Sequence, residues 1–140
     1  MKKKIFKIIV ILFILSNNLS AKTDFFEEGV NLFNNDKFEE AKFKFEKDIV
    51  FNPKSELSYL YLSKIFNKQN KKKLEEQNLK TVMLLNPKNE EAIYNLAKFK
   101  LKNSDYKKSI ELNNRLELIC KSFCNKSKKL KIEIENLSKK

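Results

Sequence analysis

"LLNPKNEEA", residues 84–92, repeats much of "VFNPKSELS", residues 50–58, and the two stretches hold the only prolines of the 140-residue chain. Pro53 and Pro87 stand 34 residues apart, the period of a helix-turn-helix repeat. A proline lacks the N–H that helix continuation needs and drives the residue before it out of the α region, so Asn52-Pro53 and Asn86-Pro87 each end a helix and aim the chain at the next. One Asn-Pro fits any turn. Two at this period with matching flanks mark a repeat.

Laid out on its prolines, the chain reads three times as helix, short polar turn, helix. The units are 22–55, containing "FFEEGVNLFNNDKFEEAKFKFEKDIVFNP"; 56–89, containing "YLYLSKIFNKQNKKKLEEQNLKTVMLLNP"; and 90–123, containing "AIYNLAKFKLKNSDYKKSIELNNRLELIC". In the first unit Phe25, Gly29 and Leu32, then Phe38, Ala41, Phe45 and Ile49, recur every three or four residues, which gives each helix one apolar stripe. Neither helix buries its stripe alone, so pairing within a unit and stacking between units share the stabilisation. Composition agrees. One Gly and two Pro in a chain that is 41% hydrophobic and 34% charged leave hairpins little to turn on and favour helices. The fold class is all-α.

These residues resemble the tetratricopeptide repeat family over positions 22–123. Gly29 sits where the family keeps a small residue, Leu32 follows as core, "NDKFEEA" supplies the turn, the aromatic and the small Ala41, and Pro53 ends the unit. In the third unit Leu96 and Ala97 form the large-then-small pair and Tyr106 the aromatic after "NSD", with Ser109 in place of Ala and Lys121 in place of Pro. The second unit keeps a small Ser63 but has Lys72 for the aromatic and Glu75 for the Ala. The resemblance implies a right-handed superhelical stack of about three units.

The segment after residue 123 extends the pattern. Phe123, Ser127, Leu130, Ile134 and Leu137 are spaced four, three, four and three, a one-sided helix suited to cap the stack over 124–140, with a short dimerising coiled coil as the alternative. At the other end, "MKKKIFKIIVILFILSNNLSA" opens with lysines, runs apolar from Ile8 to Leu15 and ends in small and polar residues. Residues 1–21 read as a signal peptide cleaved after Ala21, which places the product in a bacterial periplasm or on the cell surface and limits membrane contact to export. Retention as an inner-membrane anchor is the alternative, although the apolar run is short of the ~20 residues that span a bilayer. After cleavage 26 basic and 18 acidic residues remain, net +8.

Little catalytic chemistry is on offer. The chain has no His, the commonest general base and metal ligand, and one Gly cannot build a phosphate-cradling loop. The expectation is a protein that is not an enzyme and needs no cofactor. Cys120 and Cys124 are the only cysteines. In an exported chain they suggest a disulfide fixing the cap, with two reduced core cysteines as the other reading. Two thiolates alone leave zinc short of ligands, so no metal site is expected.

In the resembled family the first helix of each unit lines a groove for peptide segments. Carried over by position, that groove displays Phe26, Val30 and Phe33 from the first unit, Tyr61, Lys64 and Lys68 from the second, and Tyr94, Asn95, Lys98 and Lys102 from the third. Lysines and an amide beside aromatic rings suit an acidic peptide or protein segment with an apolar anchor. The family's clamp for C-terminal carboxylates does not carry over, because Phe26 and Val30 stand where it uses Lys and Asn. The expected function is therefore a protein-binding scaffold of the cell envelope. The alternative is a basic factor that binds anionic polymers or membrane surfaces without reading sequence. Nucleic acid is not expected as a partner: with 29 Lys and a single Arg the chain lacks the residue preferred for bidentate phosphate contacts.

Overall fold

The computed structural model describes residues 24–138, so the expected signal peptide lies outside the described residues. Among the described residues seven helices follow one another: α1 (Asp24–Asn34), α2 (Phe38–Phe51), α3 (Glu56–Lys68), α4 (Lys72–Leu85), α5 (Glu90–Lys102), α6 (Tyr106–Ile119) and α7 (Cys124–Ser138). Consecutive helices pack on one another throughout, and α7 touches both α6 and α5. The result is three helical hairpins, α1/α2, α3/α4 and α5/α6, with α7 laid against the last.

The 34-residue period governs geometry as well as sequence. Asp36, Asn70 and Ser104, each 34 residues after the last, all adopt left-handed backbone with φ of 59°, 55° and 61°. In each turn the following residue donates its N–H five residues back, Lys37 to the Leu32 carbonyl, Lys71 to Phe66 and Asp105 to Lys100, at 2.9–3.0 Å. This is the bond that closes a helix C-terminus through a left-handed residue. The outer turns repeat too: Asn52, Asn86 and Cys120 each donate a backbone N–H to the carbonyl four residues earlier. Cys120 thus stands where the two asparagines stand.

Two apolar cores result. Around the first hairpin Phe26, Phe45, Leu62, Ile65 and Phe66 are buried with Ala41, and Tyr61 stacks on Phe45 at 4.9 Å. The second core joins the later hairpins to the cap through Leu79, Val82, Ile93, Leu112, Leu116, Leu130 and Ile134. Along α7, Ser127, Leu130 and Ile134 are buried while Leu137 is exposed. The polar member of that stripe is satisfied: Ser127 donates its hydroxyl to Asn113 Oδ1 at 2.9 Å, and Asn113 Nδ2 donates to the Ser127 carbonyl at 3.2 Å.

Positions facing the preceding hairpin distinguish the first unit, for Leu62 packs into the core of the first hairpin and Leu96 against that of the second. Where Leu62 and Leu96 are buried, the equivalent residue is Glu28, which is exposed and pairs with Lys44. The exchange of Leu for Glu removes apolar area from a face of α1 that no described helix covers.

Candidate partner groove

A groove of about 360 Å³ runs between α3 and α5, with Phe33 of α1 and Glu75 of α4 also in its lining. Lys64, Lys68, Tyr94, Asn95, Lys98 and Lys102 line it together with Phe33. The 34-residue period explains the arrangement. Lys64 and Lys98 are equivalent, as are Lys68 and Lys102, so stacking α5 beside α3 sets two pairs of lysines side by side.

These lysines are not in the same electrostatic state. Lys64 Nζ lies 2.8 Å from the Glu91 carboxylate and 4.7 Å from the Tyr61 ring centre. Among the described residues no ion pair holds Lys68, Lys98 or Lys102. Lys68 sits over the Phe38 ring at 4.6 Å and Lys98 near the Tyr94 ring at 5.8 Å. Burial pushes the Tyr94 phenol up from its ordinary value, and the Glu133 charge adds to that, so the ring presents a neutral hydroxyl.

The remaining groove candidates lie elsewhere. Phe26 is buried against Phe45 and Tyr61, at ring distances of 5.9 Å to each, and belongs to the first core rather than to an open wall. Its place on α1 corresponds to Leu60, which is also buried, and to Tyr94, which is half-buried. Val30 and Tyr61 pack at the edge of the same core. The Phe45 ring of α2 and the Tyr61 ring of α3 enclose this part of α1.

Glu75, Glu91, Asn67 and Ser63 also line the groove, and none of them is among the positions carried over from the resembled family. Glu75 replaces the small residue of its unit, yet α3 and α4 pack closely. Asn67 Nδ2 donates to Glu75 Oε1 at 2.8 Å and satisfies the intruding carboxylate. Burial raises the Glu75 pKa above its ordinary value; the Asn67 hydrogen bond and the Lys102 and Lys72 charges oppose this only in part.

At the far end, Cys120 and Cys124 form a disulfide with Cα atoms 5.2 Å apart. The helix does not run through them: α6 stops at Ile119 and α7 begins at Cys124. Among the described residues no His, Cys, Asp or Glu side chains are grouped to hold a metal ion, and no helix is long and apolar enough to cross a membrane.

No family model matches the chain, and no curated protein does. Solved structures do. The Yersinia enterocolitica type III secretion chaperone SycD, in complex with a peptide of the translocator YopD, superposes with a TM-score of 0.74 at 14% identity, covering 87% of this chain and 97% of that one. The Arabidopsis OM64 TPR domain gives 0.70 at 18% identity, over 82% and 92% of the two chains. The first TPR of Spaghetti (RPAP3), bound to the HSP90 peptide SRMEEVD, gives 0.71 at 15% identity, over 82% and 88%. The chain has the tetratricopeptide-repeat fold, an all-α stack of three helix-turn-helix units closed by a terminal helix.

Proposed function

We propose that this chain is a non-catalytic interaction module that holds an acidic peptide segment of another protein in the α3/α5 groove. One observation carries the reading: Lys68, Lys98 and Lys102, none of them held in an ion pair among the described residues, line a groove that also offers the half-buried rings of Phe33 and Tyr94. Carboxylates of an incoming segment would complete ion pairs that the protein leaves open, and an aromatic or aliphatic side chain would seat against the rings. Two of the structural neighbours above are described with a bound peptide, which supports the choice of a segment over a small molecule. The lysine-led, apolar start of the sequence supports export by a signal peptide cleaved after Ala21, and hence action at a bacterial envelope.

The test is selection from a displayed peptide library, followed by affinity measurement on the full chain. Acidic peptides with one aromatic or aliphatic anchor should be enriched, and Lys98→Glu with Lys102→Glu should weaken them at least tenfold. Enrichment of basic peptides, or acidic ones that bind the double variant as well as the parent, would overturn the groove assignment.

A further inference from the structure

Val50, Leu84 and Leu118 are 34 residues apart in turn, occupy the last turns of α2, α4 and α6, and are 75%, 81% and 86% exposed. A single exposed aliphatic needs no explanation. The same repeat position left apolar and bare in all three units is a row, and Phe51, 68% exposed, widens it at one end. The charge around the row has one dominant sign. Three and four residues before and after each aliphatic stand Lys47, Lys54, Lys80, Lys88, Arg115 and Lys121, with Glu46 as the lone acid at those places. Lys80 is paired with Glu76 and Arg115 donates to the Pro87 carbonyl, whereas Lys54, Lys88 and Lys121 sit exposed in or beside the turns between units, Lys121 with the Glu90 carboxylate on its backbone N–H.

We infer that this edge docks on the surface of an anionic phospholipid bilayer, with the aliphatic row entering the headgroup layer and the lysines meeting lipid phosphates. Aliphatic side chains that protrude singly, one per unit among cations, fit a fluid interface that adapts to them. A protein hot spot instead draws on aromatic and Arg anchors seated in pockets. Charge complementarity selects the anionic lipid. The edge lies at the ends of the second helices, apart from the groove, so the inference stands independently of the peptide reading.

The chain contains no Trp, so one introduced indole reports its own site. In the full-length protein, Leu84→Trp should shift its emission to the blue and be quenched by brominated lipid in phosphatidylglycerol vesicles, and not in phosphatidylcholine vesicles. Gln77→Trp, on the same face two turns back along α4, should stay unquenched. The apolar N-terminal stretch is the same in both variants and cannot produce that difference. Adding Lys54→Gln, Lys88→Gln and Lys121→Gln should lower the docking constant read by the position-84 indole roughly a hundredfold, at about fivefold per basic residue. An indole at position 84 that ignores anionic vesicles overturns the proposal. So does a dimer in solution that Val50→Ser, Leu84→Ser and Leu118→Ser dissolve, because the row would then belong to a second copy.

Discussion

Glu90 and Phe123 meet across the last repeat: the Glu90 carboxylate accepts the Phe123 N–H at 2.8 Å and, with both oxygens, the N–H groups of Lys121 and Ser122 at 2.9 Å each. Three consecutive donors before α7 thereby find one acceptor at the start of α5. The Phe123 bond is the largest cause holding Glu90 below the usual carboxylate range. Desolvation opposes it, and the Lys121 and Ser122 bonds with the Lys121 charge add to it. A carboxylate held low in the folded state is fully stabilising above its unfolded pKa, and that contribution is lost as pH falls through the folded value. Glu90→Gln should therefore melt below the parent at neutral pH, with the two curves converging in acid. Thermal scans across the acid range check this; a gap of constant width would assign the effect to something other than ionisation.

The same loop is closed by the Cys120–Cys124 disulfide. A five-residue ring restrains the unfolded chain by about 2 kcal/mol in the chain-entropy account. Replacing both cysteines by Ser should cost no more than about that, and α7 should loosen first because its start is what the ring fixes. Hydrogen exchange along α7 reads the local effect. Since Glu90 grips the residues inside the ring, Glu90→Gln and the double Ser variant should not add, and a double-mutant cycle should return a coupling of ~0.5 kcal/mol or more.

Much of this stack is readable in the repeated Asn-Pro-Lys: its period fixes the hairpins, and the turns, helix ends and small residues fall where 34-residue spacing puts them. The Glu90 contact is different, because its donors are backbone groups of residues 121–123. A signal was nevertheless present. Glu56 and Glu90 each follow a proline by three residues, and Glu56 Oε1 likewise accepts from Asn86 Nδ2 at 3.0 Å, on the turn one unit later. Phe26 shows the opposite problem. The family resemblance places it on the groove side, but whether a ring there opens to solvent depends on the Phe45 and Tyr61 rings packed against it. The lysine pairs of α3 and α5 were legible because period and residue type agreed. The buried Glu75 was not, since its tolerance rests on Asn67, a residue of the facing helix.

Glu75 carries a prediction of opposite sign to Glu90. Its folded pKa is raised, chiefly by burial, so the folded state binds a proton more readily than the unfolded chain. Stability from this group falls as pH rises from the unfolded pKa through the folded one. Glu75→Gln keeps an acceptor for Asn67 and removes the buried charge. It should raise the melting temperature at neutral pH and leave it little changed in acid. A variant that is less stable at neutral pH would show that the Lys102 and Lys72 charges outweigh burial.

Gly29 approaches the Phe45 ring so closely that an added Cβ would lie 2.8 Å from Cε1. Phe45 is fully buried between Phe26 and Tyr61 and has no room to retreat. Gly29→Ala should cost about 1–3 kcal/mol as overpacking, measured by denaturant unfolding. The equivalent positions already carry a Cβ in Ser63 and Ala97, where the counterparts of Phe45 are the smaller Leu79 and Asn113. The double variant Gly29→Ala, Phe45→Leu should therefore recover part of the loss. No recovery would locate the cost of Gly29→Ala away from Phe45.

The three left-handed turn residues differ in how well they suit that backbone. A side chain there crowds the following carbonyl, a cost that Asn and Asp offset by local hydrogen bonding and glycine avoids altogether. Asp36 and Asn70 are of the tolerant kind; Ser104, at φ 61°, is not. Ser104→Gly should stabilise the protein by roughly 0.5–1 kcal/mol, after the added flexibility of glycine in the unfolded chain is subtracted. Asn70→Gly should change stability by less. Its side chain already tolerates the left-handed region, and the turn's backbone bond from Lys71 to Phe66 is present in either case. Urea titrations of the two variants decide it: equal gains at both positions would mean that side-chain type does not set the energy of these turns.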